Sequence, residues 1–267
     1  MESFVYSPEE ILLPLYDIGI RRHIYPFDEK YGLPDYRYEW SDYYYKHKDE
    51  LTEVYYSLYD DESRKTMFEF IKMNITNCAY RGYHRKSNKK YNECFVALED
   101  ECYLNVGGYV GDNVFSFIEI RNEVFEKIVV VEADSGIYKR LLSNLEILPE
   151  YLRQKIVTRN VLMNEEVGEK EYKSEKITLI SMDIEGAELS VICGLKKCIQ
   201  KNRPVLAICA YHKAEDIIRL PEIVNSIVMD YKIYFRKYAP SYNSQLRSGE
   251  LVMYAVPVER CIYSEEN

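Results

Sequence analysis

The segment Ser181-Met182-Asp183-Ile184-Glu185-Gly186-Ala187-Glu188 concentrates three carboxylates in a short stretch of chain. It follows a largely apolar run, Ile177 to Ile180, and leads into a helical pattern. The acids therefore crowd the point where a buried strand hands over to a helix. In an open α/β sheet that edge is where ligands bind. A second turn of the same kind, Asn105-Val106-Gly107-Gly108-Tyr109-Val110-Gly111-Asp112, lies earlier in the chain. Its Gly107, Gly108 and Gly111 let the backbone turn tightly and approach a ligand with no Cβ in the way. The helix start behind them offers free N–H groups. The next strand ends in Glu132, an acid placed to accept two ribose hydroxyls. The two turns together point to a nucleotide-type cofactor beside a reaction centre.

A third strand end, Tyr211-His212-Lys213, belongs beside the Asp183 turn, because the fourth and fifth strands of a doubly wound sheet are neighbours. An acid next to a histidine at the ligand edge makes a base with its orienter. His212 is read as the base, with Asp183 or Glu185 orienting it. Glu188 falls in the first helical turn, where the helix dipole favours a carboxylate in any case. Imidazole and carboxylates also suit a divalent ion, and a histidine can simply cap the following helix. The base reading is preferred and no metal site is assigned. At the glycine turn, the spacing departs from Gly-x-Gly-x-x-Gly, and Asp112 would repel a pyrophosphate. A cofactor without phosphates fits better. S-adenosylmethionine carries a ribose, an ammonium and a sulfonium cation, which acids at several strand ends suit. Its expected contacts are Asn105, Gly107, Gly108, Gly111, Asp112, Glu132 and Asp183.

These residues need a sheet to hold them. From about residue 96 the pattern alternates between apolar strands and amphipathic helices. Strands are expected at Cys102–Val106, Ile128–Glu132, Lys155–Leu162, Ile177–Asp183 and Pro204–Tyr211. Helices are expected at Asp112–Val124, at Gly136–Ile147 with Leu141, Leu142 and Leu145 inward, at Ala187–Lys201, and at Ala214–Ile227 interrupted by Pro221. Glu165–Tyr172, with Gly168, reads as a turn or short hairpin. Tyr231–Tyr238 and Glu250–Val256 have no helix between them and read as an antiparallel hairpin at one sheet edge. Buried strands separated by helices mean parallel pairing with right-handed crossovers. The expectation is a Rossmann-like domain over residues 96–267, preceded by a mainly helical extension over residues 1–95. In that extension Trp40–Tyr59 reads as one helix. Asp60 and Asp61 cap the next, whose stripe is Met67, Phe68, Ile71 and Ile75. Residues 21–39 and the basic stretch Arg81–Lys90 read as irregular, the latter as a solvated linker. His23, His47 and His84 lie in polar contexts and read as surface residues.

Composition limits the function classes. The 267 residues carry 35 basic and 44 acidic side chains, a net charge of -9. Phosphate neutralisation needs a basic surface, so a nucleic-acid substrate is not expected. The seven cysteines are scattered and odd in number, which reads as reduced thiols in a cytoplasmic protein. No signal peptide is visible and no apolar run approaches a membrane span. Twelve of the 27 tyrosines fall within the first 60 residues. They read as amphipathic packing, with one or two near the acceptor.

With those residues in place, the chain resembles the FkbM family of S-adenosylmethionine-dependent methyltransferases over roughly residues 60 to 257. The family's Asp-x-Gly-Ala-x-x-Gly-Asp turn corresponds to Asn105–Asp112. Its Asp-x-Glu-Gly-Ala-Glu corresponds to Asp183–Glu188, its tyrosine–histidine–lysine strand end to Tyr211–Lys213, and its late strand to Tyr234–Tyr238. Two positions depart from the pattern: Asn105 replaces the usual acid, and Ser181 stands where a lysine often precedes the Asp by two. The resemblance implies a class I methyltransferase fold, a seven-stranded sheet with its last strand antiparallel and helices on both faces. It also implies O-methylation of a sugar, glycan or natural-product hydroxyl. A nicotinamide-dependent oxidoreductase on the same architecture and a non-catalytic cofactor-binding relative are the competing readings. The acceptor's identity and the oligomeric state are not legible.

Overall fold

The computed structural model describes residues 36–76, 89–238 and 250–262. Residues 21–35, most of the Arg81–Lys90 loop, and His23 and His84 lie outside the described residues, whereas 36–39, also read as irregular, are helical. Three helices come first: α1 (Tyr36–Lys46), α2 (Lys48–Ser57) and α3 (Asp61–Thr76). The expected single helix over Trp40–Tyr59 is thus two, broken at His47 and again before Tyr59. Hydrogen bonds on both sides of His47 continue the helical spacing, so the break is a one-residue kink. Asp60 starts α3 as expected, its Oδ1 accepting from the Ser63 N–H at 2.8 Å. The buried stripe of α3 is Met67, Phe70, Ile71 and Ile75, with Phe70 in place of the expected Phe68.

The alternating part contains β1 (Cys102–Val106), α4 (Asp112–Ile120), β2 (Lys127–Glu132), α5 (Ser135–Leu145), α6 (Glu150–Arg153) and β3 (Ile156–Asn160). It continues with α7 (Glu165–Tyr172), β4 (Leu179–Met182), α8 (Glu188–Gly194), α9 (Lys196–Asn202), β5 (Val205–Cys209), α10 (Asp216–Ile227), β6 (Tyr231–Lys237) and β7 (Leu251–Pro257). One mixed sheet takes the order β3-β2-β1-β4-β5-β7-β6. The first five strands pair in parallel, and β7 runs antiparallel between β5 and β6. The late hairpin therefore exists, and its first strand, not its second, forms the sheet edge.

Side chains alternate across the central strands, so each strand feeds two cores. Leu104, Val106, Val129, Val131, Ile180 and Met182 face one layer, shared with α1–α3, α8 and α10. Tyr103, Ile128, Val130, Leu179 and Val205 face the other, shared with α4 and α5. Burial on both faces is why β1, β2, β4 and β5 read as near-continuous apolar runs.

Four local expectations are corrected. Glu165–Tyr172 is helical, capped by Asn164, whose Oδ1 accepts from the Val167 N–H at 2.9 Å. Gly168 is there for contact: a Cβ on it would lie 3.0 Å from the Gly194 carbonyl carbon on α8. The Ala187–Lys201 helix divides at Leu195 into α8 and α9. Helix α10 continues through Pro221 without interruption. Leu142 is exposed while Leu141 and Leu145 are buried, which narrows the inward face of α5. Among the described residues no helix is long and apolar enough to cross a membrane.

Candidate active site

The two turns singled out in the sequence touch each other. Adjacent strands β1 and β4 end side by side, and the Asp183 N–H donates to Val106 O at 3.2 Å. Gly107 has φ +84°, and a Cβ on it would lie 2.2 Å from Asp183 O. Only glycine lets this turn fold against its neighbour. Gly111 caps α4 at φ +95° in the left-handed region, with a would-be Cβ 3.0 Å from Leu141 Cδ1. The N–H groups of Gly107 and Gly108 both donate to Val131 O, and that of Gly111 donates to Gly108 O. The Tyr109 N–H donates to Glu132 Oε2 at 2.8 Å. Four amides of the turn are thus committed within the protein, which fits a cofactor that brings no phosphate. Asp112 is exposed at the first position of α4.

Glu132, at the end of β2, is 8% exposed. Its Oε1 accepts from the Asp134 N–H at 2.8 Å, so each carboxylate oxygen takes one backbone donor. Each keeps acceptor capacity for a further hydroxyl. Asn105 and Ser181, the two departures from the family pattern, are register partners across β1 and β4. Asn105 Nδ2 donates to Ser181 Oγ at 2.9 Å, and Tyr103 Oη lies 2.6 Å from the same oxygen. They are one contact: a neutral pair stands where an acid and a lysine would face each other. Asn105 Oδ1 is buried and has no hydrogen-bond partner.

Parallel pairing of β4 with β5 brings His212 to Asp183, as expected. Its Nε2 lies 3.3 Å from Asp183 Oδ1 and 3.7 Å from Glu185 Oε2, and its Nδ1 lies 3.0 Å from Glu188 Oε1. These are ion-pair distances without the alignment of a conventional hydrogen bond. Burial works against a charge on the ring, but Asp183 and Glu188 outweigh it and raise the imidazole to about 10. The shift favours a protonated ring, and two carboxylates face its two nitrogens at 3.3 Å and 3.0 Å. Asp183 is the complement: burial opposes its ionisation, and His212 and Lys90 nevertheless bring it down to about 2. Glu185 sits at φ +55° with its side chain 92% exposed, on the rim and not behind the histidine. Glu188 both accepts from the Ile184 N–H at 3.0 Å and pairs with the ring, so it is more than a helix-start residue.

Asp216 completes the cluster, and burial raises its carboxyl to about 6, with Glu188 adding to the effect. Glu188, His212 and Asp216 bring potential ligand atoms within 4.8 Å of one another. Within that set Nδ1 faces Glu188 Oε1 at 3.0 Å and Asp216 Oδ2 accepts from the Lys213 N–H at 2.7 Å, while Glu188 Oε2 is buried without a hydrogen-bond partner.

Three further residues at this edge were given no role from the sequence. Tyr211 Oη donates to Asp183 Oδ1 at 3.2 Å. Lys90 Nζ lies 3.4 Å from Asp183 Oδ2 and 2.5 Å from Glu250 Oε2. Lys90 belongs to the stretch read as a solvated linker, yet its side chain is only 10% exposed. Its role depends on where the chain returns in space, which local composition does not encode.

The methyltransferase FkbM domain matches residues 83–231, more than half of the chain. Among solved structures, the chain is similar to methyltransferase FkbM from Methylobacillus flagellatus, with 23% identity and a TM-score of 0.74. That similarity covers 84% of this chain and 63% of the other, so this chain spans less than two thirds of that relative's length. A weaker likeness links it to precorrin-6y C5,15-methyltransferase from Geobacter metallireducens, with 8% identity, a TM-score of 0.44, and 60% and 82% coverage. TrmK from M. capricolum, in complex with S-adenosyl-homocysteine, gives 14% identity, a TM-score of 0.43, and 62% and 66% coverage. No curated protein matches the sequence.

Proposed function

Since the chain belongs to the FkbM methyltransferase family, we propose that it transfers a methyl group from S-adenosylmethionine to a hydroxyl of a sugar, glycan or natural-product acceptor. The observation that carries this reading is Glu132, buried at the end of β2 beside the glycine turn with acceptor capacity left on both oxygens. Two vicinal ribose hydroxyls match that capacity. Asn105 Oδ1, buried and unpartnered, offers an acceptor toward the ammonium end. When bound, the cofactor supplies an electrophilic methyl carbon whose bond to sulfur breaks as the acceptor oxygen bonds to it, leaving a neutral thioether.

Asp183 is the proton acceptor in this proposal. A hydroxyl oxygen that gains a methyl group becomes an oxonium far more acidic than a carboxylic acid, so a carboxylate held near 2 can still take its proton. His212, as a cation, orients Asp183 and stabilises its charge. The rim carboxylate Glu185 contacts the acceptor. In this proposal helices α1–α3 form a cap that shapes the acceptor side. The approach of α2 to α10, with Arg219 Nη2 3.5 Å from Glu50 Oε1, supports that placement.

Calorimetric titration of the intact protein with S-adenosylmethionine, S-adenosylhomocysteine and NAD tests the reading. The adenosyl ligands should bind and NAD should not. Hydrogen bonds to a charged group contribute about 1.5–3 kcal/mol, so Glu132→Ala should weaken cofactor binding roughly 10- to 150-fold. Equal affinity in the variant would remove Glu132 from the site. Binding without methyl transfer to any of a panel of hydroxylated acceptors would favour a non-catalytic relative.

A further inference from the structure

Asp183 has two oxygens with different surroundings. Oδ1 faces both His212 Nε2 at 3.3 Å and Tyr211 Oη at 3.2 Å. Oδ2 takes the long contact from Lys90 Nζ, at 3.4 Å, and the Cys209 thiol also reaches this carboxylate. The ammonium is drawn off this oxygen by Glu250, whose Oε2 is 2.5 Å away. Lys90 cannot wander, because its neighbour is anchored on two strands. The Tyr91 N–H donates to the Tyr254 hydroxyl on β7 at 2.9 Å, and Tyr91 Oη lies 3.2 Å from Cys209 Sγ on β5. The ammonium itself lies 4.6 Å from the Tyr91 ring centroid.

We propose that Lys90 is a positioning residue of the reaction centre: tethered by Glu250, it keeps Asp183 ionised while leaving Oδ2 open to receive the acceptor's proton. This rests on the reading of Asp183 as proton acceptor. The hydroxyl O–H bond breaks, a new O–H bond forms at Oδ2, and the electron pair stays on the acceptor oxygen that bonds to the methyl carbon. Lys90 contacts Asp183 Oδ2 at 3.4 Å but neither gives nor takes the transferred proton. The groups interacting with Asp183 are Lys90 and Tyr91 from the segment before β1, and Cys209, Tyr211 and His212 on and after β5; Glu185 reaches His212 and Glu250 reaches Lys90. Of these, Lys90 and His212 are the cations. Burial works against the Lys90 charge, and Cys209, Glu250 and Asp183 outweigh it, so its ammonium is held above the ordinary lysine value.

The test is a carboxyl-¹³C NMR titration of the full chain, with Asp183 assigned by comparison with Asp183→Asn. An opposite charge within reach lowers a carboxyl by about 1–3 pKa units. Lys90→Met should therefore raise the Asp183 value by roughly one unit or more, and Lys90→Arg should restore most of it. A general loss of structure would shift many carboxyls and would not be rescued by arginine. An Asp183 titration unchanged in folded Lys90→Met overturns the proposal. Calorimetry of the wild-type protein with S-adenosylmethionine separates this from the functional reading. Failure to bind the cofactor sinks that reading, whereas an unmoved Asp183 titration sinks only the role of Lys90.

Discussion

Removing the imidazole of His212 should destabilise the protein for a reason that a second substitution can expose. The side chain of His212 is 7% exposed and that of Glu188 is 1% exposed. In His212→Ala, Glu188 keeps one backbone donor and loses its counter-charge, while Asp183 retains Lys90. Breaking a buried ion pair from one side costs about 3–5 kcal/mol, a large part of the roughly 5–15 kcal/mol that keeps a domain folded. Urea unfolding followed by circular dichroism at pH 7 should show a loss of that size. Adding Glu188→Gln removes the orphaned charge, so the double variant should be more stable than His212→Ala alone by at least about 1 kcal/mol. The sign with pH follows from the raised imidazole. Its folded value of about 10 lies above the ordinary 6.5. The stabilisation is therefore complete below pH 6.5 and is lost as pH rises through about 10. Wild-type stability should decline over that window, and His212→Ala should lack that part of the decline. A double variant no more stable than the single one would refute the claim that uncompensated charge drives the loss.

Two further outcomes follow from the glycine turn and its neighbour. Asn105 is 1% exposed, so Asn105→Asp buries a carboxylate and should lower unfolding stability. Because Ser181 is its register partner, adding Ser181→Lys should give a favourable coupling of at least about 1 kcal/mol in a double-mutant cycle; zero coupling would mean the two positions are independent. Gly107→Ala places a Cβ 2.2 Å from Asp183 O at φ +84°. The left-handed backbone alone costs about 1–2 kcal/mol, so with the clash Tm should fall by roughly 4–8 °C. An unchanged melting temperature in a calorimetric scan would show that the two turns are not in contact.

Much of the architecture was legible because parallel strands buried on both faces are written as apolar runs. Cys102–Val106 reads as a strand from its own composition. The misread elements share a cause. Gly168 looks like a turn residue in one dimension, but its lack of a side chain serves a helix contact with Gly194. Phe68 and Leu142 fit a stripe by spacing, and which residue of a stripe is inward depends on how the helix is rolled against the sheet. Residue types alone also singled out Asp183, His212 and Glu132 as candidates, because acids and histidines at strand ends are conspicuous among valines and isoleucines.

The division of labour at Asp183 was not legible, for an electrostatic reason. A pairing of acid with histidine is visible in the sequence, but which partner holds the proton depends on every charge within a few ångströms. Glu188 reaches the far side of the ring, and Lys90 arrives from before the sheet. Together with Asp183 itself they shift His212 toward its protonated form and Asp183 toward its ionised one. Asn105 and Ser181 likewise look like two unrelated departures along the chain, and only strand register makes them one contact. The sequence by itself determined the class of chemistry, since residue identity carries functional groups and short-range order carries strand ends. The tertiary structure alone decided who neighbours whom, and proton affinities are set by neighbours brought together from distant parts of the chain.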